Sequence, residues 1–348
     1  NSIDINLEEI KNILGLSKEQ FETRKAFLSE FNKSGFPSKK NEDWKFIDLN
    51  KIISSKIPNL KFFNNLVSKK IDRNEILENI EPELLKNNHI FFVNGMITDI
   101  VFNNEDKNKF NILRKPQNIN KDIYSSLNSL NKAFYLDYLK LIVKENYKFK
   151  KPVVVINFTS PDIVDTALNQ RFDVIMEKNS SMSIIDINLN CSKSVFLNMS
   201  NNFILNENSI LKNYKVDLKD SSSLFYSKTN TELYKNSISE NFIFSSGSEF
   251  AKNEIECNLN ENYSSAFVNG IINLNASNQH EIRSRINHLA ENTKSYQLIK
   301  CALKDKSKAV YQGKIFVDSI AQKTDGYQLS KAILLNEGTE FDGKPELE

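Results

Sequence analysis

The sequence predicts a mainly β protein with a helical amino-terminal region, and three observations carry that prediction. Apolar residues in the first 35 positions recur at helical spacing between recognisable cap signals. From about Pro152 the periodicity changes to short runs alternating at period two, recurring every ten residues or so. The connections between those runs are rich in Asn, Ser, Asp and Lys and leave no room for helices between strands. Such a string of strands builds a sandwich, a barrel or a β-solenoid, and no exact repeat in the sequence chooses among the three. The expected organisation is a helical domain with a small β-hairpin over residues 1–135 and a β body over residues 136–348.

Taken in order, Ser17 caps a helix and Gln20 completes an S-x-x-Q box, with Phe21, Leu28 and Phe31 on one face and Gly35 and Pro37 ending it. A second helix is expected over residues 74–87. Asn94-Gly95 between two apolar runs predicts a type I′ hairpin, because that dipeptide accommodates positive φ. A third helix is expected over residues 122–144, with Leu127, Leu130, Phe134 and Tyr138 on one side. The β runs cover residues 153–156, 172–176, 182–189, 266–274, 296–303, 309–317 and 327–335. In residues 309–317 the odd positions Ala309, Tyr311, Gly313, Ile315 and Val317 form the core face, and Gln312 and Lys314 point outward. The same parity places Cys191, Cys257 and Cys301 inward.

Composition narrows the function. Lys and Arg number 46 against 44 Asp and Glu, a net charge of +2, which excludes a polybasic binder of nucleic acid or membrane surfaces. No apolar stretch approaches the roughly 18–20 residues needed to span a bilayer. The first residues, Ser2-Ile3-Asp4-Ile5-Asn6-Leu7-Glu8-Glu9, lack the basic start and apolar run of an export signal, so a cytoplasmic location is the default. Three cysteines spaced 66 and 44 residues apart form neither a disulfide framework nor a metal knuckle and read as reduced thiols. Asparagine is spread evenly, 23 before position 151 and 25 after it, which reads as codon bias rather than as an asparagine ladder inside a solenoid, and the excess of Lys over Arg, 40 to 6, fits the same bias. The chain starts without Met and reads as a piece of a longer protein.

No catalytic, cofactor-binding or metal-binding residue is assigned. Residues 338–344 fit G-x-x-x-x-G-K, but Pro345 stands where a phosphate loop needs a hydroxyl and the start of a helix. His280 and His288 share a strand face yet lie roughly 26 Å apart along it, too far to hold one ion; they read as structural, and His89 is isolated. Cys191, Cys257 and Cys301 read as packing residues whose buried thiols are poor nucleophiles. Trp44, the single tryptophan, reads as a packing anchor. Arg283 and Arg285 find no acidic partners by parity, which speaks against a polysaccharide-active β-helix enzyme, as does the absence of an export signal.

Five blocks resemble a known family: Ser295-Tyr296-Gln297-Leu298-Ile299-Lys300-Cys301-Ala302-Leu303, Ala309-Val310-Tyr311-Gln312-Gly313-Lys314-Ile315, Ala321-Gln322-Lys323-Thr324-Asp325-Gly326-Tyr327-Gln328, Ile333-Leu334-Leu335 and Lys344-Pro345-Glu346-Leu347-Glu348. Together they look like the core signature of the SufB and SufD scaffold proteins of SUF iron–sulfur cluster assembly. Asn41-Glu42-Asp43-Trp44-Lys45-Phe46 and Leu130-Asn131-Lys132-Ala133-Phe134 resemble the SufD branch rather than its SufB paralogue. The resemblance implies a non-catalytic scaffold whose core, residues 136–348, is a right-handed parallel β-helix. It also implies pairing with a SufB-like protein, docking of a SufC-like ATPase on a helical segment beyond Glu348, and a cluster held only at the interface of the complex, with no cofactor bound stably by this chain. At about 20–25 residues per turn, such a solenoid would stack eight or nine turns.

Overall fold

The computed structural model describes residues 2–114 and 125–348. Helices α1 (Ser2–Leu14) and α2 (Lys18–Ser34) open the chain, and the predicted capping box is present: Gln20 N donates to Ser17 Oγ at 3.2 Å and Ser17 N to Gln20 Oε1 at 2.9 Å. Gly35, at φ 66°, ends α2 in a conformation that costs glycine little. Helix α3 (Leu49–Lys56) follows, capped by Asp48.

The helix expected over 74–87 is broken. Helix α4 spans only Arg73–Leu77, and a separate 3-10 turn covers Pro82–Lys86. Pro82 has no N–H to donate and holds Glu81 extended at ψ 123°, so the helix cannot run through it. The helix expected over 122–144 is likewise shorter. Positions 122–124 lie outside the described residues, α5 spans Ser126–Phe134, and Tyr138–Val143 is strand β4. Leu139, Leu141 and Val143 face the core at period two, and parallel pairing with the next strand outweighs the helical spacing read from the sequence.

The predicted hairpin is strands β1 (Asn88–Val93) and β2 (Met96–Val101), with Asn94 and Gly95 at φ 52° and 81°. Strand β1 also pairs in parallel with β5 (Val153–Thr159), which makes the hairpin the first layer of a larger sheet. Strand β3 (Phe110–Arg114) pairs antiparallel with β4 in the same way at the start of the second sheet.

From there the chain winds as a right-handed parallel β-solenoid with two strands per turn. One sheet stacks β5, β7 (Ser181–Asn190), β9 (Ile210–Asp217), β11 (Ile238–Ser245), β13 (Ser265–Leu274), β15 (Lys294–Leu303) and β17 (Asp325–Leu334). The other stacks β6 (Thr166–Met176), β8 (Val195–Leu205), β10 (Ser221–Leu233), β12 (Ser248–Leu259), β14 (Gln279–His288), β16 (Lys308–Val317) and β18 (Glu340–Leu347). One core row runs Val174, Phe203, Thr231, Cys257, Ile286, Ile315, Leu347, so a turn takes 26 to 32 residues. The stack therefore has about 7 turns rather than eight or nine, because its strands reach 13 residues in length.

The corners hold a repeat that local patterns hide. Glu177-Lys178-Asn179-Ser180, Asn206-Glu207-Asn208-Ser209, Tyr234-Lys235-Asn236-Ser237, Glu261-Asn262-Tyr263-Ser264, Ala290-Glu291-Asn292-Thr293 and Ala321-Gln322-Lys323-Thr324 occupy one corner on successive turns. The third residue of each lies at positive φ, and each Ser or Thr hydroxyl donates to the carbonyl three residues earlier. Asparagine is favoured there because it tolerates the left-handed region. Asn179 donates to Asn146 at 2.8 Å and Asn208 to Asn179 at 2.9 Å, so an asparagine ladder does exist, on an outer corner. The asparagine excess is thus partly architectural, and codon bias alone does not explain it.

The helical region packs on the outer face of the even-numbered sheet, where Phe36 meets Phe196 and Trp44 meets Tyr226. Asn131 of α5 pins the contact by donating to Gln170 O at 3.0 Å and Asn198 O at 2.8 Å. This cover buries much of the even-numbered sheet on both faces. Beyond it, in β16, Ala309, Tyr311 and Ile315 face the core as the alternation predicts, but Val310 and Gln312 are buried too.

Candidate functional site

Parallel stacking turns side chains about 29 residues apart into neighbours, and this gathers charges that the sequence scatters. On the outer face of the even-numbered sheet one row runs Asn198, Tyr226, Lys252, Glu281, and the next runs Ser200, Lys228, Glu254, Arg283. Lys252 and Glu281 are both 0% exposed and pair at 3.2 Å, with Glu254 3.5 Å from the same ammonium. Lys252 also donates to Asp43 O and lies 4.1 Å from the centre of the Trp44 ring. Burial opposes charge on Glu254, but Lys252, Lys228 and Arg283 outweigh it and hold the carboxyl below its ordinary range. Burial dominates at Glu281 and pushes its carboxyl up, although Lys252 and Gln312 pull the other way.

Arg283 corrects the parity reading. It pairs with Asp43 at 2.6 Å and stacks beside Glu254, while Arg285 stacks beside Glu256. Its partners lie on the adjacent turn and on the amino-terminal segment, beyond the reach of a single-strand test. Apart from the half-exposed Asp43, the cluster is buried, and its effect is to lock the Asp43-Trp44 segment onto the solenoid. Trp44 is a packing anchor, as expected, and a cation stacks on it.

A second polar group runs inside the solenoid. Lys215, buried, bonds Asp186 Oδ2 at 3.1 Å and Asn201 Oδ1 at 2.9 Å. Asp217 lies nearby and accepts from Ser248 N at 3.1 Å. Burial raises the Asp217 carboxyl and lowers the His280 imidazole, so His280 stays neutral, bonded to Ser245 Oγ and Ser248 O, each at 2.6 Å. His288, at the other end of β14, bonds Thr293 Oγ1 at 2.7 Å and Ser295 Oγ at 2.9 Å, and burial lowers it to about 4. Both histidines are satisfied structural groups, as the sequence suggested. His89 lies beside Phe91 and bonds Asn87 O at 3.2 Å.

Two of the three thiols face inward. Cys257 and Cys301 sit in the solenoid core, where burial pushes each up to about 12. Cys191 does not share their setting. It follows β7 in a connection, packs on the outer face of the odd-numbered sheet, and accepts from Lys219 Nζ at 3.1 Å. Cys191 keeps the parity of Ile187 and Leu189, but that face of β7 points away from the solenoid core, which Met182 and Ile184 enter from the opposite face. The phosphate-loop lookalike runs from the turn before β18 into the strand itself, with Lys344 and Pro345 in mid-strand, so it frames no helix terminus.

Among the described residues no group of three or more His, Cys, Asp or Glu side chains is placed to hold a metal ion, and no helix is long and apolar enough to cross a membrane. Among the described residues β17 and β18, like β2 and β3 at the other ends of the two sheets, each pair on one side only; on the last described turn Ile333 is 64% and Leu347 74% exposed, with Leu334 and Leu335 exposed beside them.

Comparison with known proteins then gives two findings. Residues 158–348 match the SufBD core domain, described as SUF system FeS cluster assembly. A protein of Synechocystis sp. described as an iron-sulfur cluster assembly SufBD family protein is 21% identical over 340 residues, covering 90% of this chain and 72% of the relative. The matched core begins inside β5 and takes in all the turns that follow.

Proposed function

Because the chain belongs to the SufBD core-domain family of SUF-system iron–sulfur cluster assembly, we propose that it is a SufD-like scaffold subunit that pairs with a SufB-like protein through the last turn of its solenoid. The observation that carries this reading is the match of residues 158–348 to that core domain; within the described residues β17 and β18 each pair on one side only and carry the exposed Ile333, Leu334, Leu335 and Leu347. An open parallel edge attracts another strand, and apolar side chains beside it add area to bury. The choice of SufD over its SufB paralogue rests on the blocks holding Trp44 and Asn131, which here dock the helical region onto the sheet.

In this reading the cluster is cargo, held where the partner contributes ligands, and ATP hydrolysis belongs to a SufC-like partner, with the assembly working in the cytoplasm. The buried state of Cys257 and Cys301 supports it, since a protonated core thiol is a poor ligand and nucleophile. Co-expression of the tagged chain with a SufB-like protein tests the pairing. Leu334→Glu with Leu347→Glu should abolish co-purification while the circular dichroism spectrum is unchanged. Full retention of the partner by that folded double variant would overturn the proposed contact.

A further inference from the structure

A cavity of about 230 Å³ lies between α5 and the outer face of the even-numbered sheet. Lys140, Asp173, Asn202, Asn230 and Glu256 sit side by side on its floor, on five successive strands. Neighbouring strands are about 4.8 Å apart, so the row runs about 19 Å from lysine to glutamate.

The two ends differ in chemistry. At one end Arg171 is 2% exposed; it donates to Asn131 Oδ1 at 3.0 Å and lies 5.3 Å from the Tyr138 ring centre, while its Nε has no hydrogen-bond partner among the described residues. Lys140, half-buried, makes no hydrogen bond or ion pair among the described residues, although Asp173 is its neighbour in register. Asp173 instead takes the Tyr138 hydroxyl, Asn202 N at 2.9 Å and Asn202 Nδ2 at 3.1 Å. At the other end Glu232 accepts from the amides of Asn258 and Asn260 at 2.7 Å each and makes no ion pair among the described residues. Glu256 beside it meets Lys228 at the long distance of 3.7 Å.

Buried charged donors rarely go unpaired, because desolvation costs more than a neutral hydrogen bond returns. A guanidinium with an unused N–H, next to an unpaired ammonium, matches the oxygens of a carboxylate or phosphate. Glutamates two and three strands away match an amine. We infer that this cleft binds a small zwitterionic metabolite, its oxyanion head on Arg171 and Lys140 and its ammonium group toward Glu232 and Glu256.

Calorimetric titration of the intact chain with phosphoethanolamine and with γ-aminobutyrate tests the inference and separates a phosphate head from a carboxylate head. At least one should bind, with inorganic phosphate or ethylamine alone weaker by about tenfold or more. Lys140→Met should weaken the zwitterion by about tenfold, and Glu256→Gln should weaken it while leaving inorganic phosphate unchanged. Arg171→Gln should abolish binding; because Arg171 is buried, the half-buried Lys140 and Glu256 provide variants expected to keep the fold. No heat with either zwitterion, affinity for phosphate alone equal to that for phosphoethanolamine, or binding indifferent to both Lys140→Met and Glu256→Gln would overturn it.

Discussion

Replacing Lys252 by Met should destabilise the protein severely, and for an electrostatic reason rather than a packing one. The ammonium lies between Glu281 at 3.2 Å and Glu254 at 3.5 Å, with Lys252 and Glu281 fully buried. Met fills a similar volume, so little packing is lost. What remains is Glu281 with Gln312 as its one hydrogen-bond donor, at 2.5 Å. Breaking a buried pair in this way costs about 3–5 kcal/mol. The sign with pH follows from Glu281, whose carboxyl burial already raises. Its charged form is penalised in the folded state, so the penalty grows when the lysine is gone and fades as pH falls and the carboxyl takes a proton. The deficit of Lys252→Met should therefore be largest near neutral pH and shrink toward about pH 5. Lys252→Met with Glu281→Gln should recover most of the loss, since no buried charge is then left alone. Urea titration followed by fluorescence is suited to the question, because Trp44 is the single tryptophan and stacks on Lys252 at 4.1 Å. A loss below about 1 kcal/mol in the single variant, or a double variant no more stable than the single, would refute the argument.

Three further outcomes follow from the interior. Alkylation of the native protein should modify Cys191 first, with Cys257 and Cys301 protected until unfolding because burial pushes both to about 12; equal rates for all three would contradict their placement. The folded His288 is lowered from 6.5 to about 4, so the unfolded chain takes its proton first and stability is lost as pH falls between those values. Relative to the wild type, His288→Gln should spare about 3 kcal/mol of that acid loss, and unfolding curves parallel in pH would argue against it. Gly270→Ala should cost about 1–3 kcal/mol by overpacking. An added Cβ there would meet Ile282 Cδ1 at 2.8 Å and Ile299 Cδ1 at 2.9 Å, and an unchanged thermal midpoint would show that the row can relax.

Local signals in the sequence survived wherever the chain's neighbours in sequence are also its neighbours in space. The Ser17–Gln20 box and the Asn94-Gly95 turn are of that kind, and both are present as read. The helix expected through Tyr138 failed because a strand 33 residues on, at the Leu141–Val174 pair, decided its conformation. The face test failed for Arg283 for the same reason, since Asp43 and Glu254 reach it from elsewhere in the fold. The solenoid period was present all along in the Asn-Ser and Asn-Thr corners, but degenerate positions such as Tyr263 and Lys323 hid it from a search for exact repeats. Once the period is known, the charged rows can be written down from the sequence. Which of them the helical region covers cannot, because that depends on how Trp44 and Asn131 dock.

Hydrogen–deuterium exchange on the chain, alone and mixed with a SufB-like protein from the same system, most directly tests the proposed pairing through β17 and β18. The expected result is slowed exchange confined to residues 325–347, the strands β17 and β18, with the helical region and the earlier turns unchanged. Protection that falls on the helical region instead, or a mixture that exchanges like the chain alone, would contradict the proposed pairing.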